Sequence, residues 1–335
     1  MIEVRNLTKR YGSHLAVDHL SFTVQDGQIY GFLGPNGAGK STTMNMMTGY
    51  LGVTEGEILI NGHNILEEPE EAKASIGYLP EMPPLYADME VRAYLTFCAE
   101  LKKIPRADRA AAVEQAIEKT DIADVQHRLI KNLSKGYRQR VGLAQAILGM
   151  PPIIILDEPT VGLDPRQIME IRDLIRSLAG EHTVILSSHI MQEISAVCDH
   201  VMIISKGQLV ASDTPENLQK LNQSRNTLQL EIRGSEEEIR PLLESLTEVR
   251  DLKIRQLEDS REYMEEDAKE DTSAGLPRDT SVSAELTTDP QVDIREKVFY
   301  LMAENHHPIL QMKQETLSLE ELFLELTAQG NEEVY

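Results

Sequence analysis

Within "GFLGPNGAGKST" (residues 31–42), Gly34, Gly39, Lys40 and Ser41 stand in the spacing G-x-x-x-x-G-K-S, after an apolar strand-like run and before a helical pattern. In that context the glycines let backbone N–H groups curl around phosphates. The loop Gly34-Pro35-Asn36-Gly37-Ala38-Gly39 is the expected cradle. Lys40 would reach the β- and γ-phosphates of a nucleotide, and Ser41, with Thr42 beside it, would face a Mg²⁺ ion. A second apolar run, "IIILDEPT" (153–160), ends in two acids. Asp157 is suited to Mg²⁺ and its waters, and Glu158 to an attacking water. A third, "VILSSHI" (184–190), delivers His189 from another strand end, within reach of a γ-phosphate. All three lie at carboxyl ends of strands, where open α/β sheets place their ligands.

A further stretch, "LSKGYRQR" (133–140), opens a helix whose apolar run follows at 141–148. Ser134 is its candidate cap, yet Tyr137 occupies the place where a Glu or Gln would close a capping box. Gly136 strips the first turn of bulk, and Lys135, Arg138 and Arg140 add positive charge. Helix N-termini attract phosphate through unpaired N–H groups and the helix dipole. An anion is therefore expected there, and its owner has to be found.

The elements that must position these residues alternate. Strand-like runs at "IEVRNLTKRY", "QIYGFLG", "GEILING", "IIILD", "TVILSSH" and "HVMIISKGQLV" are interleaved with helical patterns at 40–51, 89–103, 108–119, 135–149, 166–179 and 190–197. Such alternation predicts an α/β domain with a largely parallel sheet, here spanning residues 1–220. From 221 to 335 a smaller α+β domain is expected. Its strands at 226–234, 249–257, 282–288 and 308–314 and helices at 235–247 and 289–305 give the order βαββαβ, a ferredoxin-like candidate. Its middle strands flank "EDSREYMEEDAKEDTSAGLPRDTS" (258–281), too poor in apolar residues to offset ordering entropy and read as a flexible acidic insert.

Apolar residues make up 41% of the 335 and charged ones 26%, proportions of a soluble globular protein. Cys98 and Cys198 sit in motif-free helical patterns and predict neither a disulfide framework nor a metal site. No leader or membrane-spanning segment is expected, because "MIEVRNLTKRYG" lacks an apolar core and the stretch 141–156 is broken by Gly149, Pro151 and Pro152. The formal net charge of −22 argues against general nucleic-acid binding, which draws on Lys and Arg to neutralise phosphates.

In their order along the chain, the loop at 34–41, "LSKGYRQR" at 133–140, the acidic strand end at 153–158, "VGLDP" at 161–165 and "SSHI" at 187–190 resemble the nucleotide-binding domain of an ABC ATPase. The resemblance covers about residues 1–220 and implies a P-loop NTPase fold, with a mixed sheet core and a helical subdomain at about 82–150. It also implies ATP and Mg²⁺ as ligands and a head-to-tail pair, as a homodimer or with a second ATP-binding subunit, in which Ser134 and Gly136 meet the γ-phosphate held by the other chain. Tyr11 resembles the aromatic that stacks on adenine, and Asp164 the residue that contacts the opposite subunit. Glu81 in "GYLPE" stands where the family usually has Gln; it can offer an oxygen to Mg²⁺ but has no amide hydrogen to donate. Lys135 and Tyr137 depart from the family signature in the same way, while Ser134 and Gly136 keep its phosphate contacts. The closing stretch "LSLEELFLELT" (317–327), with "GYLPE" and "LSKGYRQR", resembles subunits that drive separate integral membrane permeases of exporters, at the cytoplasmic face of the membrane. "MPPLYADMEVRAYLTF" would then meet the permease. A non-transport ABC ATPase and a non-hydrolysing regulatory partner are the alternatives.

Overall fold

The computed structural model describes residues 1–222, 226–257, 280–289 and 292–315. The chain divides into two compact units, one running from Met1 to Glu216 and the other beginning at Asn217.

The first unit opens with β1 (Ile2–Tyr11) and β2 (His14–Val24), a hairpin paired from Ile2↔Val24 to Tyr11↔His14. Then come β3 (Ile29–Leu33), α1 (Lys40–Met47), β4 (Glu55–Ile60), β5 (His63–Asn64), α2 (Pro69–Ala74) and β6 (Ile76–Leu79). Three helices follow, α3 (Val91–Leu101), α4 (Arg109–Lys119) and α5 (Lys135–Ile147). The chain continues through β7 (Ile153–Leu156), α6 (Pro165–Leu178), β8 (Thr183–Ser188), α7 (Met191–Ser195), β9 (His200–Ser205) and β10 (Gln208–Asp213), after which α8 (Pro215–Asn222) runs across the boundary into the second unit.

Two sheets result. One has the order β10-β9-β3-β8-β7-β6, with every neighbour parallel except β10. Its central strands β3, β7 and β8 are buried at every position, as expected of parallel strands covered on both faces. The other is antiparallel, in the order β2-β1-β4-β5. Residues from both sheets share one apolar cluster with Met44, Met46 and Met47 of α1. Each of these methionines is fully buried, a burial that contributes on the order of 1.5–3 kcal/mol apiece and anchors the helix that follows the glycine loop.

The mixed α/β core read from the sequence stands, with three differences. β2 was not foreseen as a strand, because shifts in its pairing with β1 break the period-two alternation. β6 has four residues, one of them Gly77, too few to register as a pattern. The run 200–210, read as one strand, is a hairpin whose turn residues Lys206 and Gly207 both have positive φ, 49° and 80°, as tight hairpin turns require. That turn links the two sheets: the Gly207 N–H donates to the Ala38 carbonyl at 2.9 Å, and its own carbonyl accepts from the Asp18 N–H at 3.0 Å.

The second unit holds β11 (Asn226–Arg233), α9 (Glu236–Glu244), β12 (Val249–Leu257), β13 (Ser281–Thr288), α10 (Arg295–Glu304) and β14 (Ile309–Glu315). Its sheet has the order β12-β13-β11-β14 with all neighbours antiparallel, the split arrangement of a ferredoxin-like fold. Along β13, buried positions alternate strictly with half-buried ones, and Val282, Ala284 and Leu286 pack with Ile239, Leu243, Val298 and Met302 of the two helices. The helix read at 289–305 starts later, at Arg295, whose N–H donates to Asp293 at 3.0 Å. Residues 258–279 of the acidic insert and the stretch 317–327 lie outside the described residues.

Candidate nucleotide site

The glycine loop leaves β3 and enters α1 through Gly39, whose φ of 102° and a Cβ position only 2.6 Å from the Ala16 carbonyl oxygen exclude any side chain. α1 has neither a side-chain cap nor an acid in its first turn, so its opening N–H groups remain available to an anion. Lys40 is 5% exposed. Its ammonium donates to the carbonyls of Gly34 (2.7 Å) and Pro35 (3.2 Å) and stands 3.4 Å from Glu158 Oε1. Ala38 is buried in the same turn, its N–H donating to the Pro35 carbonyl.

β7 and β8 are neighbours in the sheet, and their carboxyl ends meet. Asp157 Oδ1 accepts from Ser41 Oγ at 3.2 Å and from Ser187 Oγ at 2.6 Å. The Glu158 N–H donates to Ser187 Oγ at 2.9 Å, and Glu158 Oε2 lies 3.0 Å from His189 Nδ1. Glu158 has a φ of 47°, a left-handed backbone that a non-glycine residue adopts at a cost of order 1–3 kcal/mol and that turns its side chain out of the strand direction. Lys40, Ser41, Glu158 and His189 open onto a cleft of about 370 Å³, whose wall also holds Tyr11, Asn36, Gly37, Thr42 and Glu81. Tyr11 is 48% exposed, with the Lys9 ammonium 5.4 Å from its ring centroid. His14 and Ala16 complete that side. Nothing in their spacing marked them, because the β1–β2 hairpin alone brings them there.

Ser134, Gly136 and Asp164 are not in this cleft. They line a second cavity of about 510 Å³, together with Tyr137, Arg140 and Arg166. Ser134 caps α5, its Oγ accepting the Tyr137 N–H at 3.3 Å. Asp164 caps α6 in a reciprocal box with Gln167. Gly136 packs against Gln167, where a Cβ would lie 2.9 Å from the amide carbon. The N-termini of the 13- and 14-residue helices α5 and α6 meet at this cavity; that of α5 has no acid in its first turn, whereas that of α6 is capped by the Asp164 carboxylate. Tyr137, in place of a capping Gln, donates its hydroxyl to Asp124 at 2.7 Å, which raises its pKa.

The donor set beside Lys40 is all oxygen: a hydroxyl on Ser41 and a carboxylate on Asp157 in direct contact, with the Glu81 carboxylate on the same wall. That chemistry fits Mg²⁺, which takes one or two carboxylates and completes its shell with phosphate and water oxygens.

The ABC transporter family profile matches residues 17–161. The bacitracin transport ATP-binding protein BcrA of Bacillus licheniformis is 41% identical over 69% of this chain and 75% of its own length. The linearmycin resistance ATP-binding protein LnrL of Bacillus subtilis (strain 168) is 30% identical over 98% of both chains. Among solved structures, the ATP-binding subunit of an ABC transporter superposes with a TM-score of 0.60 at 27% identity, covering 66% of this chain and 92% of that one. Likeness over nearly the whole of one relative, together with a phosphate loop facing two acids and a histidine, leaves one conclusion: the chain belongs to the ABC transporter family, as one of its ATP-binding, ATP-hydrolysing proteins.

Proposed function

We propose that this ATPase works as a head-to-tail pair, with a second copy or another ATP-binding subunit, and powers separate integral membrane permease subunits of an exporter. The observation that carries the reading is the division of the site residues. Lys40, Ser41, Asp157, Glu158 and His189 form one contacting group, while Ser134, Gly136 and Asp164 line another cavity. A chain with two unlike half-sites is completed by a partner facing the opposite way.

In this reading Lys40 and the N–H groups of residues 34–42 bind the β- and γ-phosphates, and Tyr11 stacks on the adenine. Ser41, Asp157 and Glu81 would hold Mg²⁺, which when bound supplies positive charge to the phosphate oxygens. Glu158 accepts a proton from the attacking water while His189 holds the carboxylate's other oxygen in place. Ser134 and Gly136 meet the γ-phosphate of the partner's nucleotide. For the permease, support comes from a groove of about 680 Å³ bordered by Tyr50 and Met82, each 83% exposed, with Glu81 on its wall. Among the described residues no helix is long and apolar enough to cross a membrane, and the permease would hold the ATPase at the cytoplasmic face. Export follows the relatives named for bacitracin transport and linearmycin resistance.

Mixing two inactive proteins tests the pairing. Ser134→Arg blocks the second cavity and Lys40→Ala removes the phosphate-facing charge. A heterodimer carrying one of each can confine both lesions to one composite site, so the mixture should hydrolyse ATP faster than either parent. Full turnover in the Ser134→Arg protein alone overturns the head-to-tail reading.

A further inference from the structure

A buried carboxylate behind the site has no part in the chemistry so far. Glu193 on α7 is 6% exposed, and its Oε2 accepts the hydroxyl hydrogens of Thr160 at 2.6 Å and Ser188 at 3.0 Å. Both donors are themselves buried, at 7% and 1%. Thr160 lies two residues beyond Glu158, on the turn leaving β7, and Ser188 is the residue before His189 at the end of β8. Ser188 Oγ also accepts the Ile190 N–H at 3.1 Å, which pins the backbone on the far side of His189. Removing a carboxylate from water costs several kcal/mol, and an apolar side chain would fill the space without that cost. The acid is therefore accounted for by what it fixes, not by packing.

What it fixes is the relation between two loops. Glu158 and His189 touch at 3.0 Å, and His189 is partly exposed with no other side-chain partner among the described residues. Their separation depends on how the two strand ends are held. Ser187 ties them from inside, bonding Asp157 and the Glu158 N–H, and Glu193 ties them from outside through Thr160 and Ser188.

We infer that Glu193 is a positioning residue for ATP hydrolysis, clamping the Thr160 turn and Ser188 so that His189 holds the Glu158 carboxylate in its working orientation. The inference rests on Glu158 and His189 being the hydrolytic pair. That premise is checked separately: Glu158→Gln and His189→Ala must each abolish most turnover before Glu193 is interpreted.

The test uses the full chain. Glu193→Leu should lower kcat by about 100-fold, the scale of an ångström-sized misplacement, with the KM for ATP changed by no more than about twofold. Glu193→Gln, whose amide can still satisfy both hydroxyls by rotation, should retain kcat within about threefold. Adding Glu193→Leu to His189→Ala should cost little further, because the two act through one contact. In the absence of nucleotide, the His189 ring resonance, assigned by its loss in His189→Ala, should shift in Glu193→Leu and stay in place in Glu193→Gln. Should Glu193→Leu fail to fold, Thr160→Val removes one donor at constant shape and should lower kcat about tenfold with KM unchanged. An unmoved His189 resonance, a kcat within about twofold of wild type, or a loss of ATP affinity parallel to the loss of kcat each overturns the positioning role.

Discussion

Glu158 lies between an ammonium at 3.4 Å and an imidazole at 3.0 Å, on a backbone held in the left-handed region. Its orientation is thus set by neighbours that an amide of the same shape would also satisfy. Glu158→Gln should keep ATP affinity within about twofold, measured with a fluorescent nucleotide, while phosphate release falls about 10²–10⁴-fold for want of a proton acceptor. Unchanged turnover would show that the base lies elsewhere. Glu158 and its partners Lys40, Ser41, Asp157 and His189 were legible in the sequence because each sits at a fixed step from a glycine, a lysine or a strand end. Ser187, Thr160 and Glu193 were not legible. Hydroxyls and acids are too common for spacing to mark them, and their meaning arises only when β7 and β8 end side by side.

The helices show a similar dependence on folding. Lys102, directly after α3, is exposed as a residue, yet its ammonium turns onto the Ala146 and Leu148 carbonyls at the end of α5 (2.9 and 3.0 Å). Burial of that ammonium lowers its pKa to about 8. The unfolded chain keeps the proton up to its ordinary value of 10.5, so between these limits unfolding takes up a proton and stability rises with pH. The melting temperature of wild type relative to Lys102→Met should therefore climb from pH 7 to pH 9.5. A constant difference contradicts it. In the second unit, Leu257 and Ser281 pair directly across β12 and β13. Replacing residues 258–280 with a two-residue Asn-Gly turn should leave the sheet intact and, by shortening the closed loop about tenfold, add up to about 2 kcal/mol of stability in denaturant titration. A loss of stability would mean that the removed residues contribute packing. Within the βαββαβ order β13 alternates cleanly between buried and half-buried positions, whereas β2 was hidden by its irregular register with β1.

At the scale of the molecule, the net charge of −22 sets two copies to repel, and 27 acidic against 12 basic residues fall in 221–335. In the proposed head-to-tail pair, the attraction would come from nucleotide bridging the two half-sites. Glu158→Gln with ATP should elute as a dimer on size exclusion, and adding Ser134→Arg should return it to the monomer position; a dimer in both refutes composite sites. The two sheets of the first unit were only partly legible, since the sequence pattern implied one largely parallel sheet and the antiparallel one depends on β2. What joins them is the Gly207 turn, its N–H on the Ala38 carbonyl and its carbonyl on the Asp18 N–H. An amide so held trades its hydrogen for deuterium only when the glycine loop lets go. ATP, by holding that loop, should slow deuterium uptake at Gly207 in the Glu158→Gln protein, so a surface turn near residue 207 becomes a clock for occupancy of a loop that ends at residue 41.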